Sequence, residues 1–240
     1  MKRLLVLRPG ERLAIAAAAG LFLLLLTDVA VGGLVSDLDE TVVDSVAASD
    51  GGPGWARTAT DLGGLGVSGA AVMIATLLCA HGLWRLWPLA LTAFNLAATG
   101  VVVSVVKAAV GRAGPSTALG DPGYTGYFPS GHTATGVVCF GTAAFLVLAL
   151  LRPELSASGF AGSRAGGQRS GLPERGPDIL ARAGIGVGLA VGLVVGLGTL
   201  LTGNHWPSDI IGGLLVGVSV LVTGFGGVRT QLEKAVGVRR

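Results

Sequence analysis

Charge is what this sequence has least of: 13% of its 240 residues are Asp, Glu, Lys or Arg, against a hydrophobic share of 51%. An ordinary soluble domain carries about 25% charged residues, so that class is excluded, and the mean hydropathy of +0.71 points to an integral membrane protein. Cysteine is nearly absent. Cys79 and Cys139 both fall inside apolar segments, which argues against a disulfide framework and says nothing of redox compartment. The 41 glycines show no triplet period and sit among Leu and Val, so collagen-like and linker readings fail, whereas small residues suit closely packed membrane helices. No repeat of solenoid length is present. The net charge of +3 does not indicate a nucleic-acid partner, because the arginines stand at the ends of apolar runs, where bilayer orientation accounts for them.

What the chain does have is long apolar runs. A basic start (Lys2, Arg3, Arg8, Arg12) precedes the first, at 13–35, which is long enough to span where about 20 residues are needed; with no good cleavage site it reads as an uncleaved helix. Further spans are expected at 62–80, 86–106, 130–151, 179–201 and 208–228. The fold class is therefore all-α, a bundle of six transmembrane helices forming a single membrane-embedded domain over 1–240. Asp28 lies in the first run, where a charge at the bilayer centre costs about 2.5 to 3.5 kcal/mol, so a place near the far interface is expected, with a proton-relay carboxylate as the alternative. Residues 36–61 are acidic (Asp37, Asp39, Glu40, Asp44, Asp50, Asp61 against Arg57) and read as an exposed loop holding a short helix over 36–48. His81 reads as interfacial, and Trp84 and Trp87 suit an interface belt.

Charge asymmetry sets the expected orientation. The N-terminal arm, the Arg85 connection, the loop at 152–180 (Arg152, Arg164, Arg169, Arg175) and the tail (Arg229, Lys234, Arg239, Arg240) are basic, so both termini should be cytoplasmic. The 36–61 loop, the 107–128 loop and the 202–207 turn then face outward, and Lys107, Arg112, His132, His205 and Asp209 come to one external face. In the fifth span Gly184, Gly188, Gly192 and Gly196 recur every fourth residue, a small face made for tight helix packing.

That set of side chains matches what phosphoryl transfer from a lipid requires: cations and amide donors for the phosphate oxygens, a nucleophile, an acid and an orienting group. Ser130 and Gly131, in Tyr127-Phe128-Pro129-Ser130-Gly131-His132, stand at a helix start, where backbone N–H groups and a hydroxyl meet an anion at the positive end of the dipole. Lys107 and Arg112 supply positive charge. His205 and Asp209 are four apart in His205-Trp206-Pro207-Ser208-Asp209, so the carboxylate can hold one ring nitrogen and leave the other to attack phosphorus. His132 remains to protonate the leaving group. Zinc is the poorer account: His205 and Asp209 are not an HExxH pair, and Lys107 and Arg112 would repel the metal. No metal and no cofactor is expected.

At these residues the chain resembles the type 2 phosphatidic acid phosphatase (PAP2) superfamily, which includes bacterial membrane phosphatases acting on phosphatidylglycerol phosphate and undecaprenyl diphosphate. Its pattern is a lysine followed seven residues later by Arg-Pro, then Pro-Ser-Gly-His, then Ser-Arg, five residues, His, three residues, Asp. Lys107, Pro115, Pro129 to His132, His205 and Asp209 match. Gly114 stands in place of the first arginine, and Gly198 and Thr199 in place of Ser-Arg. The resemblance implies a phosphohistidine on His205, Asp209 orienting it, His132 as acid, and a phosphate held by Lys107, Arg112, Ser130, Gly131 and Thr199. Thr199 offers one neutral hydrogen bond where a charge-assisted one is about twice as strong. Restoring an arginine there is expected to raise affinity in a phosphatase. The implied activity is a membrane lipid phosphatase in the plasma membrane, metal-independent, with its site outside and a membrane lipid as substrate, of undetermined oligomeric state. A lipid phosphotransferase and a non-catalytic lipid-binding scaffold are the other readings.

Overall fold

The computed structural model describes residues 7–46, 52–83, 85–118, 123–152 and 176–235, with side chains to 230. Lys2, Arg3, Asp50, Trp84, Arg164, Arg169, Arg175, Arg239 and Arg240 lie outside the described residues, and so does the side chain of Lys234. The described residues form eight helices and no strand: α1 (Pro9–Val31), α2 (Leu34–Val46), α3 (Gly54–Gly63), α4 (Leu65–Leu83), α5 (Trp87–Val110), α6 (Gly131–Leu151), α7 (Gly176–Leu201) and α8 (Pro207–Ala235). Six of these, all but α2 and α3, are long and apolar enough to cross a membrane. The all-α, six-span expectation is met.

Helix ends follow local chemistry. Pro9 opens α1, where a missing N–H costs nothing, and Gly32 stops it in the left-handed region (φ 66°), so that its last residue is Val31 and not the expected Val35. Asp28 then accepts from the Val35 amide at 2.9 Å, so its carboxylate caps the turn into α2, in keeping with a place at the helix end. The acidic 36–61 stretch holds the expected short helix as α2 and, beyond expectation, a second one, α3; α3 and α4 are separated at Gly64, so the second span begins at Leu65 instead of 62. The remaining spans start or end within a few residues of expectation, and α8 runs past 228 to Ala235.

α6 is the central helix. Its Val137, Val138, Phe145 and Leu146 are buried against Leu180 of α7 and Leu221 and Phe225 of α8. The glycine stripe packs as its spacing requires: a Cβ at Gly188 would meet the Val137 carbonyl at 2.5 Å, one at Gly184 the Gly141 carbonyl at 2.8 Å, and Gly192 and Gly196 face Val137 and Ile210. Pairing 184 with 141 and 192 with 137 makes α6 and α7 antiparallel, with backbones too close for a side chain between them. By contrast, α1 is apolar on all sides and buries little, with Leu13, Leu21, Leu23 and Leu24 all exposed, as befits a helix solvated by lipid.

The two ends of the bundle differ. At one, Arg229 of α8 pairs with Glu11 of α1, through Nη2 at 2.7 Å, and lies 3.6 Å from Asp178 of α7, which also pairs with Arg8. This charged cluster holds the starts of α1 and α7 to the last turns of α8. At the opposite end α2, α3, the start of α6 and the turn between α7 and α8 converge.

Candidate active site

The site is built on the N-terminus of α8. Trp206 caps that helix and Pro207 takes its first position; Asp209, three residues after the cap, accepts the Trp206 amide at 3.2 Å, as an acidic residue at that position does in a capping box. The same oxygen, Oδ2, lies 3.1 Å from Nδ1 of His205. A carboxylate can only accept, so Nδ1 carries the proton and Nε2 presents a lone pair. Asp209 is wholly buried and His205 is 7% exposed, so the pair is largely shielded from water.

The second half is the turn into α6. The Ser130 amide donates to the Asp209 carbonyl at 2.9 Å, which ties the two motifs together through the backbone. Gly213, one turn after Asp209, permits this: a Cβ there would stand 2.6 Å from the Ser130 carbonyl. The Ser130 hydroxyl is the N-cap of α6, accepting from the Thr133 amide at 3.3 Å and from its hydroxyl at 3.0 Å. Helix geometry then leaves the Gly131 and His132 amides without an intrahelical acceptor, at the positive end of the dipole. Lys107 reaches this turn from the last part of α5, donating to the Gly126 carbonyl, with its Cε 3.8 Å from where a Cβ on Gly131 would be. His132 is exposed at the mouth, with His205, Lys107 and Asp61 as the titratable groups that act on it. Its neighbour by backbone is Gly63 at the end of α3, where a Cβ would meet the His132 carbonyl at 2.6 Å.

Arg112 sits elsewhere in the web than a simple phosphate clamp would. Its Nη1 donates to Asp209 Oδ1 at 2.8 Å and to the Ser208 hydroxyl at 2.6 Å, its Nη2 donates to Asp39 at 2.7 Å, and its guanidinium lies 5.3 Å from the Trp206 ring centroid. Both terminal nitrogens thus face carboxylates. Asp39, on α2, is 2% exposed and also takes the Ser208 amide at 2.9 Å and the Ser208 hydroxyl. The expectation that the acidic 36–61 stretch is exposed fails here, because burial of this carboxylate is compensated by three donors. The signal was present in the helical register: Asp39 and Val43, four apart, form the buried face of α2.

The two replaced arginines have structural correlates. Gly114 lies against Tyr127, so that any Cβ would strike the ring, and the Tyr127 ring stands edge-on to His205 at a centroid distance of 5.5 Å. An aromatic wall fills the space beside Gly114. Thr199 is wholly buried and its hydroxyl donates back to the Gly196 carbonyl at 2.8 Å. At the adjacent Gly198 a Cβ would stand 2.6 Å from the Ala56 carbonyl of α3. Thr199 itself has no exposed surface, so an arginine there would have to displace its neighbours to reach the site.

Below this end, between α4, α5 and α6, runs an apolar cleft of about 310 Å³ lined by Leu65, Val103, Thr135 and Val138. Val103 is one helical turn from Lys107 and Thr135 one turn from His132, so the cleft lies next to the polar site.

Such an arrangement defines a multi-pass helical membrane protein with a histidine–carboxylate pair, a second histidine and a lysine gathered at one end of its bundle. The PAP2 superfamily model matches residues 88–232, more than half of the chain, and the protein belongs to that superfamily. Its fold is similar to a solved structure described as the first transmembrane PAP2 type phosphatidylglycerolphosphate phosphatase from Bacillus subtilis, with a TM-score of 0.69 and 17% identity over 90% of this chain and 96% of the other. A search of the curated proteins found no match.

Proposed function

We propose that the protein is a lipid phosphatase of the plasma membrane, hydrolysing a lipid monophosphate or polyprenyl diphosphate at the extracytoplasmic face through a phosphohistidine. The observation that carries this reading is the 3.1 Å pair of His205 Nδ1 and Asp209 Oδ2, buried beside an α6 N-terminus and a lysine. His205 Nε2 attacks phosphorus and a P–N bond forms as the P–O bond to the lipid moiety breaks; His132 gives its proton to the departing oxygen. Water then attacks the same phosphorus, returning a proton to His132 as the P–N bond breaks and inorganic phosphate leaves. Asp209 keeps the His205 ring oriented and balances the charge that forms on it. Lys107 and the Gly131 and His132 amides, with the Ser130 cap behind them, neutralise the phosphate oxygens, and Arg112 adds positive charge from behind Asp209. Thr199 supports the α7 end of the site. The lipid's chain is accommodated in the apolar cleft between α4, α5 and α6, whose side opens to the bilayer.

Phosphate release from a panel of lipid mono- and diphosphates in detergent without divalent metal tests this. Wild type should release phosphate, and His205→Ala should lower release on the order of 10⁴-fold or more, while unfolding at the same temperature. Retention of most activity by His205→Ala overturns the mechanism. Adding a polyol and finding its phosphate ester among the products would assign transfer in place of hydrolysis.

A further inference from the structure

Asp39 is a residue that the motifs do not account for. It lies outside the 88–232 match, on a helix of its own, and yet its carboxylate is 2% exposed and bonded at the centre of the site. Oδ1 takes the Ser208 amide at 2.9 Å, which is one of the free donors at the start of α8; Oδ2 takes Arg112 Nη2 at 2.7 Å and the Ser208 hydroxyl. Arg112 in turn passes its other nitrogen to Asp209 Oδ1 at 2.8 Å, and Asp209 holds His205. The four side chains form one continuous line, Asp39 to Arg112 to Asp209 to His205, with α2, the loop after α5, and α8 each contributing a part.

We infer that Asp39 is a positioning residue for the reaction, fixing Arg112 so that the guanidinium holds Asp209 in place behind His205 instead of turning toward the phosphate. Two physical requirements lead there. A guanidinium has a rigid planar fork, and anchoring one nitrogen sets the direction of the other. A lone Arg112 beside Asp209 would also offset the negative charge that Asp209 supplies to His205; a second carboxylate on the far side leaves that charge available. Ser208, bonded to both Asp39 and Arg112, ties the pair to the helix start. Lys107 is then left as the principal side-chain cation for the phosphate.

The inference rests on the proposed phosphatase reading, and the experiment separates the two. Wild type, Asp39→Asn, Asp39→Glu, Arg112→Gln and the double variant Asp39→Asn/Arg112→Gln are assayed on the lipid phosphate that wild type hydrolyses best, with thermal unfolding followed in the same detergent. Asn keeps the oxygen that accepts from the Ser208 amide but loses the charge that holds Arg112. Asp39→Asn should lower kcat on the order of 10- to 100-fold with KM within about twofold, well below its unfolding temperature. Asp39→Glu should recover part of kcat. In the Arg112→Gln background, Asp39→Asn should change kcat by less than about twofold, because the two act as a unit. Wild-type kcat in folded Asp39→Asn, or full additivity in the double variant, overturns the inference while the phosphatase reading stands. If Asp39→Asn does not fold, the comparison of the double variant with Arg112→Gln decides alone. Absence of any phosphate release from wild type would fell the reading itself and the inference with it.

Discussion

Gly114 shows how a single missing side chain reshapes the candidate site. The superfamily resemblance puts an arginine there; the structure puts the Tyr127 ring in its place, edge-on to His205. Reintroducing an arginine alone therefore does harm: Gly114→Arg displaces Tyr127 and should lower kcat/KM on the order of tenfold or more, whereas Gly114→Arg with Tyr127→Ala should recover much of it, both read by phosphate release. At this scale the sequence was informative where chemistry depends on spacing. His205 and Asp209, four apart, do pair, and Ser130 does cap the helix that Gly131 begins. It was uninformative where chemistry depends on contact across the chain. Arg112 and Asp39 are 73 positions apart, and no local pattern ties a carboxylate in an acidic run to an arginine after another helix. Thr199 was legible as a departure from a motif, but its burial beneath α3 was not.

Among the elements, α3 connects the segment between α1 and α4 to the candidate site. It lies against α7 at Gly198 and against the α6 start at Gly63, both through backbone contacts that admit no side chain. Gly63→Val should therefore push α3 off the His132 carbonyl, destabilise the protein by about 1 to 3 kcal/mol and lower activity more than stability alone explains. Gly54→Ala, on the same helix and facing open space, should change neither, with thermal unfolding in detergent and phosphate release as the measurements. Six spans were readable because about 20 apolar residues in a row have few other uses. The break at Gly64 was not, since α3 is short and mixes polar with small residues, and its helical state depends on packing against α6 and α7.

For the whole molecule, the packing separates two polar ends of the bundle. Lys107, Arg112, His132, His205 and Asp209 lie at the end of the bundle away from the Glu11, Asp178 and Arg229 cluster. The proposed orientation sets the former outside. Both native cysteines are completely buried, which gives a silent background for labelling: in intact cells Ser116→Cys should react with a membrane-impermeant maleimide and Arg85→Cys should react only after lysis. Confinement of all the reactive groups to one pole also sets a ceiling on turnover. Phosphorylated headgroups cross hydrocarbon slowly, since charge in the bilayer interior is costly. In sealed vesicles with the protein inserted one way and substrate on both sides, the reaction should stall at about half conversion and resume on adding detergent. A catalyst of this shape, acting in a closed compartment, is paced by whatever ferries its lipid from one monolayer to the other.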